Sequence, residues 1–326
     1  MQRLNILIWH IHGSYLNALG HIQHNWYLPT KPDKPEGYGG RGPTFDLPDW
    51  VREVPVEQVR DLDLDLVICQ SPKNYYDDRL QILSERQRRL PVIYLEHNTP
   101  RPHPVETRHP VDDPSVLLAH VTHFNRQMWD NGATPTVVIE HSVAINPSVT
   151  YSGALSRGIT VVNGMQKRPR IAGYDIFVRM RRDIPIDAVG MMTEEFGGLG
   201  DIPYRDLHRR VAEYRFLFSP MRYTSLPLAV IEAMTVGMPV VALATTELPA
   251  VIENGRTGYV SCDPDALARH MRRLLDDPEE ARRLGANARR VARERFGFQR
   301  FTDDWNAAFA RALDLRSGLR LLGAKG

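Results

Sequence analysis

Short apolar runs, each followed by a break and then a stretch of helical character, recur along the chain and constrain its fold more than any other feature. The first is Leu4-Asn5-Ile6-Leu7-Ile8-Trp9, broken by His10-Ile11-His12-Gly13-Ser14 and followed by a helix within Tyr15–Ile22. Such short, β-rich, continuously apolar runs read as strands buried on both faces. The same pattern predicts strands at 64–69, 91–95, 116–121 and 136–140, with helices over 77–89 and 125–131. Residues 144–157 lose the pattern. It resumes with strands at 159–162, 186–189, 215–219 and 239–243, and helices over 175–182, 204–213, 228–236 and 248–253. The remaining C-terminal chain reads as helical, with breaks near Pro278 and Gly297. Repeated strand–helix units imply parallel sheets with helices on both faces.

The expected architecture is therefore α/β: two doubly wound Rossmann-like domains, 1–146 and 157–299, facing each other across a cleft. A helix at about 300–320 is expected to pack back on the first. A chain of 326 residues suits two domains of roughly 150 residues each. Ligands of open parallel sheets sit beyond the carboxyl ends of the strands. The loops after Trp9, Leu95, Val162, Val189 and Ser219 should then line the cleft. Two Pro-rich segments, 29–49 and 99–114, read as long loops, which are usually functional or disordered.

Composition excludes several classes. A net charge of +2 is too small for a dedicated nucleic-acid binder. Cys69 and Cys262 lie in different halves, so neither a disulfide framework nor a Cys-based zinc site is expected. No apolar stretch is long enough to span a membrane, and the N-terminus lacks a signal-peptide core. The expected location is cytoplasmic, with peripheral contact at the inner membrane face left open. Ten of the twelve histidines precede residue 142. The His10/His12 and His120/His123 pairs lack the usual zinc spacings, so no metal site is expected. His10, His12, Gly13 and Ser14 are instead read as lining the N-domain side of the cleft.

The richest run lies in the second half. It comprises Phe218-Ser219-Pro220-Met221-Arg222-Tyr223-Thr224-Ser225-Leu226-Pro227-Leu228, then Ile231-Glu232-Ala233-Met234, Gly237-Met238-Pro239-Val240-Val241 and Asn254-Gly255-Arg256-Thr257-Gly258. A strand ends near Ser219 and a helix begins near Leu226. Its N-terminus carries free N–H groups and the positive end of the helix dipole, suited to a diphosphate. Glu232, farther along that helix, can accept two hydroxyl hydrogen bonds from a ribose. The run also fits an ordinary strand–helix–strand unit with a solvated glutamate.

This run resembles the donor-binding signature of retaining GT-B glycosyltransferases, in particular family 4. There a Glu, seven residues and a second Glu precede Ala-Met, Gly-x-Pro-Val-Val and Asn/Asp-Gly-x-Thr-Gly. Glu232 matches the second Glu, which in the family contacts the ribose. Thr224 stands where the first Glu, a sugar contact, is expected. The resemblance assigns the donor site to Gly164, Lys167, Arg168, Arg170, Gly190, Arg222, Ser225, Leu226 and Glu232, and the catalytic centre to His97, Glu232 and Thr224. Here Met165 and Ala172 stand where the family carries its usual Arg/Lys pair, so Lys167, Arg168 and Arg170 are expected to supply the charge. Val92–His97 resembles the strand whose terminal His faces the donor sugar.

The resemblance implies sugar transfer from a nucleotide-diphosphate sugar to a glycan, lipid or small-molecule acceptor. Retention of configuration, a hexosyltransferase-like activity, and no cofactor or metal beyond the nucleotide-sugar co-substrate go with it. Rival readings are an epimerase or phosphorylase on the same fold, or a non-catalytic sugar-nucleotide-binding protein. A dehydrogenase is disfavoured because no Gly-x-Gly-x-x-Gly follows the first strand.

Overall fold

The computed structural model describes residues 2–323 and divides the chain into two units. The first runs to Ser142 and resumes at Phe298; the second is Val143–Gly297. In the first unit the chain order is β1 (Asn5–Ile8), α1 (Gly13–Gly20), β2 (Asn25–Thr30), β3 (Val51–Pro55), β4 (Leu66–Cys69), α2 (Arg79–Ile82), β5 (Val92–Glu96), β6 (Val116–His120), α3 (His123–Met128) and β7 (Thr136–Val138). These strands form one parallel sheet in the order β3-β2-β1-β4-β5-β6-β7.

The second unit contains β8 (Leu155–Val161), α4 (Pro169–Ala172), α5 (Tyr174–Arg181), β9 (Ile186–Val189), α6 (Tyr204–Val211), β10 (Tyr214–Ser219), α7 (Leu228–Val236), β11 (Val240–Leu243), α8 (Leu248–Val251), β12 (Gly258–Ser261), α9 (Pro264–Asp276) and α10 (Pro278–Arg295). Its parallel sheet has the order β12-β11-β10-β8-β9. The last helix, α11 (Phe298–Gly323), belongs to the first unit.

Period-two alternation sorts the side chains of each strand onto two cores. In the first unit Ile6, Ile8, Ile68, Ile93 and Leu95 pack with α1 and with Phe301, Trp305 and Phe309 of α11. Leu7, Val67, Cys69 and Tyr94 pack on the other face. In the second unit Leu217, Val240 and Ala242 join the buried side of α7, whereas Phe216, Phe218 and Val241 meet α5 and α9. Burial on both faces is why these strands read as apolar runs rather than as alternating ones.

Three segments differ from the sequence reading. The sheet takes in β2 and β3 on either side of the Pro- and Gly-rich segment, which is folded onto the end of β1. His10 N–H donates to the Gly37 carbonyl, His10 Nδ1 meets the Gly40 carbonyl at 2.6 Å, and Arg41 donates to the carbonyls of Leu47, Pro48 and Val51. Residues 77–89 form no single helix. α2 ends at Ile82, and the Gln87 amide takes over the next stretch: it accepts from Ser84 N–H and donates to the carbonyls of Val59 and Leu62. Side-chain capture of backbone groups is a competitor of helix continuation. β8 begins at Leu155, inside the stretch where the strand–helix pattern lapses in the sequence.

Candidate functional site

In the second unit the strand order reverses between β8 and β10, so the ligand-binding switch point lies at the loops after Val161 and Ser219. Several loops are tied together there. Gly164 N–H donates to the Met191 carbonyl and Met191 N–H to Asn163 Oδ1, both at 2.9 Å. Gly190, at φ +127°, leaves no room for a Cβ against the Val162 carbonyl. Gly173, at φ +74°, does the same against the Pro220 carbonyl. The hydroxyls of Thr245 and Thr246 donate to the carbonyls of Met221 and Ser225 at 2.9 and 3.2 Å. Ser225 and Leu226 are buried and Thr224 is half-buried at the approach to α7.

The α7 N-terminus has no side-chain cap and no acidic residue in its first turn. Val230 N–H donates to the Pro227 carbonyl at 3.0 Å, and the positive end of the helix dipole is left without an acidic partner in its first turn. Glu232, the fifth residue of α7, is buried on the side that meets α6. Its Oε1 accepts a hydrogen bond from the Tyr204 hydroxyl at 3.2 Å and lies 3.5 Å from His208 Nε2. Tyr204 and His208 are four residues apart on α6, with their rings edge to face at 4.7 Å. Both contacts fall on Oε1, and among the described residues Oε2 has no hydrogen-bond partner. The carboxylate is thus oriented from one side and open to a further donor. Nothing in the sequence spacing singles out Tyr204 or His208, because the helix pairing that brings them to Glu232 is tertiary.

The basic side chains divide into two groups. Arg222 makes a two-pronged ion pair with Asp175 at 2.6 and 2.7 Å, and Arg170 binds the same carboxylate at 2.7 Å. The Arg222 hydrogen bonds hold the Asp175 carboxyl down at about 2. Lys167 and Arg168 are exposed and make no ion pair among the described residues. Their charge, rather than that of Arg170 or Arg222, is uncompensated beside Gly164.

In the first unit the reversal lies between β1 and β4. Gln70, just past β4, donates from Nε2 to the Trp9 carbonyl at 2.6 Å and faces His97 Nε2 with its oxygen at 2.9 Å. The carbonyl can only accept, so the amide orientation is set. His97 must then carry its proton on Nε2. Its ring packs on His12 at 4.0 Å and edge-on to Tyr15 at 4.8 Å. Burial, with His12 and His141 adding repulsion, holds His97 well below the usual histidine range. Burial also lowers His12, against the pull of Glu96 and Glu36.

His10 is occupied with Gly40, and the space beside Gly13 is filled by the Phe45 ring and His10 rather than left open. Ser14 lies in the first turn of α1, which also lacks a side-chain cap. The structure therefore gathers His12 and His97 at one place and uses His10 and Gly13 to seat the 37–45 segment. Two residues not singled out in the sequence join them. His141 is buried with neither ring nitrogen hydrogen-bonded. Glu96 is a buried carboxylate whose Oε1 accepts from Asn98 N–H at 2.6 Å and whose Oε2 meets His109 Nε2 at 3.2 Å. Glu96 ends a strand, and that position was its only signal. Among the described residues no three His, Cys, Asp or Glu side chains are grouped to hold a metal ion. No described helix is long and apolar enough to cross a membrane.

Residues 193–291 match the family model described as Glycosyl transferases group 1. That stretch contains Thr224, Glu232 and all of α6, α7 and the sheet edge β11–β12. The MMP alpha-(1->4)-mannosyltransferase of Mycolicibacterium hassiacum is 37% identical over 99 residues, 29% of this chain. The matched stretch spans only about a quarter, 24%, of that relative's length. Two solved structures align over nearly the whole chain. Sucrose-phosphate synthase from Thermosynechococcus elongatus is 16% identical with a TM-score of 0.63, covering 99% of this chain and 100% of its own. HepE of Anabaena, in complex with UDP and glucose, is 13% identical with a TM-score of 0.68, covering 95% and 100%. The chain shares with them a fold of two parallel-sheet, Rossmann-like α/β units, the fold of GT-B glycosyltransferases.

Proposed function

We propose that the chain is a glycosyltransferase that moves a hexose-like sugar from a nucleotide diphosphate to a glycan, lipid or small-molecule acceptor, with retention of configuration. The observation that carries this reading is Glu232: a buried carboxylate oriented by Tyr204 on one oxygen, open on the other, on the helix whose uncapped N-terminus sits at the switch point. Ribose hydroxyls on Oε2, diphosphate at the α7 amides and charge from Lys167 and Arg168 use each of these features. The UDP and glucose held by HepE, which has the same fold, support it. In the transfer the bond from the anomeric carbon to the diphosphate breaks and a bond to the acceptor oxygen forms. The acceptor proton ends on the departing diphosphate. No metal or other cofactor enters the scheme. His97, neutral and Nε2-protonated, is the group we assign to the sugar, with Thr224 and Ser225 beside the diphosphate.

Thr224, in place of a carboxylate, favours a second reading as a sugar-nucleotide-binding protein without turnover. A melting-temperature panel with UDP, GDP, ADP and their sugars, followed by measurement of free nucleotide diphosphate, separates the two. Stabilisation by one base series together with diphosphate release supports the transferase, because a ligand of the native state raises its stability. Stabilisation without release supports the binder. No stabilisation by any of them contradicts both.

A further inference from the structure

The carboxyl ends of β1, β4 and β5 enclose a cavity of about 380 Å³ that lies wholly within the first unit. This falls in the range of small-molecule sites, about 300–1,000 Å³. Its polar wall includes His12, Glu36, Gln70, Glu96, Thr99 and Arg101, and Trp129 closes one side.

Two groups in this wall are prepared for a ligand. Val111 N–H donates to His109 Nδ1 at 3.0 Å, which keeps the lone pair on that nitrogen and the proton on Nε2. The Nε2 proton meets Glu96 Oε2 at 3.2 Å. The His109 ring is buried and wedged edge-on between Tyr94 at 4.9 Å and Trp129 at 5.1 Å. Glu96 is therefore fixed, each oxygen has accepted one hydrogen bond, and each retains a lone pair. The second group is Thr99: its hydroxyl is buried in the wall and has no hydrogen-bond partner among the described residues. A buried hydroxyl without a partner is disfavoured unless something that enters the cavity satisfies it.

The lining also selects by charge. Glu36 and Glu96 bring two negative charges against one from Arg101. An anionic ligand is disfavoured there, and the density of polar groups is unsuited to an acyl chain. Trp129 is half-buried and its indole N–H is held by the Asn98 carbonyl at 2.9 Å, so the ring is a fixed wall.

We propose that this cavity binds a neutral carbohydrate, with Glu96 accepting from a pair of ring hydroxyls and Thr99 completing its hydrogen bond on the same sugar. Calling that sugar the acceptor rests on the transferase reading above; the affinity for sugar does not. Glu96 acts as a binding anchor, and no covalent step is assigned to it.

The test is saturation-transfer NMR on the full chain. The probes are glucose, mannose, galactose and maltose, with glucuronic acid and glucosamine as charged comparisons. A neutral sugar is expected to bind, with affinity falling about tenfold or more in Glu96→Gln and severalfold in Thr99→Val, as for lost hydrogen bonds to charged and neutral groups. Glutamine can still accept from Asn98 N–H, and an unchanged ¹H–¹⁵N spectrum away from the substituted side chain reports that the first unit of each variant is folded. Preference for a charged probe, or binding unaltered by both substitutions, overturns the proposal. Nucleotide binding with no sugar binding overturns it while leaving the transferase reading intact. Sugar binding without any nucleotide binding sustains the cavity assignment and sinks the transferase reading instead.

Discussion

Gln70 and His97 are locked in a single hydrogen-bonded arrangement: the amide nitrogen is spent on the Trp9 carbonyl, so its oxygen receives His97 Nε2–H at 2.9 Å. The unprotonated Nδ1 is then the atom His97 offers elsewhere. Proton-detected ¹⁵N spectra of the imidazoles should show His97 as the neutral Nε2–H form at pH 6.5, where a free imidazole is half protonated, since burial lowers its pKa well below that value. Gln70→Glu, which sets a carboxylate against the same nitrogen, should move the titration up by at least about one pH unit. Titration of the wild-type ring near 6.5 would contradict the arrangement.

His141 supplies a prediction about stability. Burial depresses it to about 3, with Arg300 and His12 adding repulsion, and neither ring nitrogen has a hydrogen-bond partner. The unfolded chain binds a proton near 6.5, whereas the native chain does not until about 3. Stability from this group is complete above pH 6.5 and is lost as the pH falls toward 3. At pH 5 the loss is about 2 kcal/mol. His141→Leu removes that dependence without stranding a hydrogen-bond partner. Denaturant unfolding at pH 7.5 and pH 5 should show a smaller difference for the variant than for the wild type. Equal differences would mean that His141 is protonated in the native protein.

Gly190 joins the β9 loop to the end of β8 with φ +127° and its Cα face against the Val162 carbonyl. Gly190→Ala adds a methyl group into backbone and also forces an unfavourable φ. A destabilisation of about 2–4 kcal/mol is expected, with loss of nucleotide binding if the loops after β8 and β9 hold the base. Thermal unfolding measures the first effect and titration with nucleotide the second. A variant as stable as the wild type would show that the loop can open.

Much of this was legible in the sequence because strands buried on both faces announce themselves as continuous apolar runs; Leu66–Cys69 and Val240–Leu243 form the strands read from them. β2 and β3 were not, because Pro29 interrupts one and Arg52-Glu53 exposes the other, an edge strand. At the site, Glu232 could be read from its motif, yet its orienting partners Tyr204 and His208 come from a different helix. Likewise Arg170 and Arg222 read as free cations until Asp175 is seen between them. Glu96 was passed over beside His97 because a carboxylate at a strand end has no local pattern; only the buried His109, thirteen residues on, marks it out.

The central claim is that Glu232 anchors a nucleotide diphosphate at the end of α7. It is tested most directly by calorimetric titration of the wild type, Glu232→Ala and Glu232→Gln with the nucleotide diphosphate selected by the melting panel. Hydrogen bonds to a charged group are worth about 1.5–3 kcal/mol, so Glu232→Ala should weaken binding by about tenfold to more than a hundredfold. Glu232→Gln should fall between it and the wild type. Nucleotide affinity that is unchanged in Glu232→Ala would contradict the account.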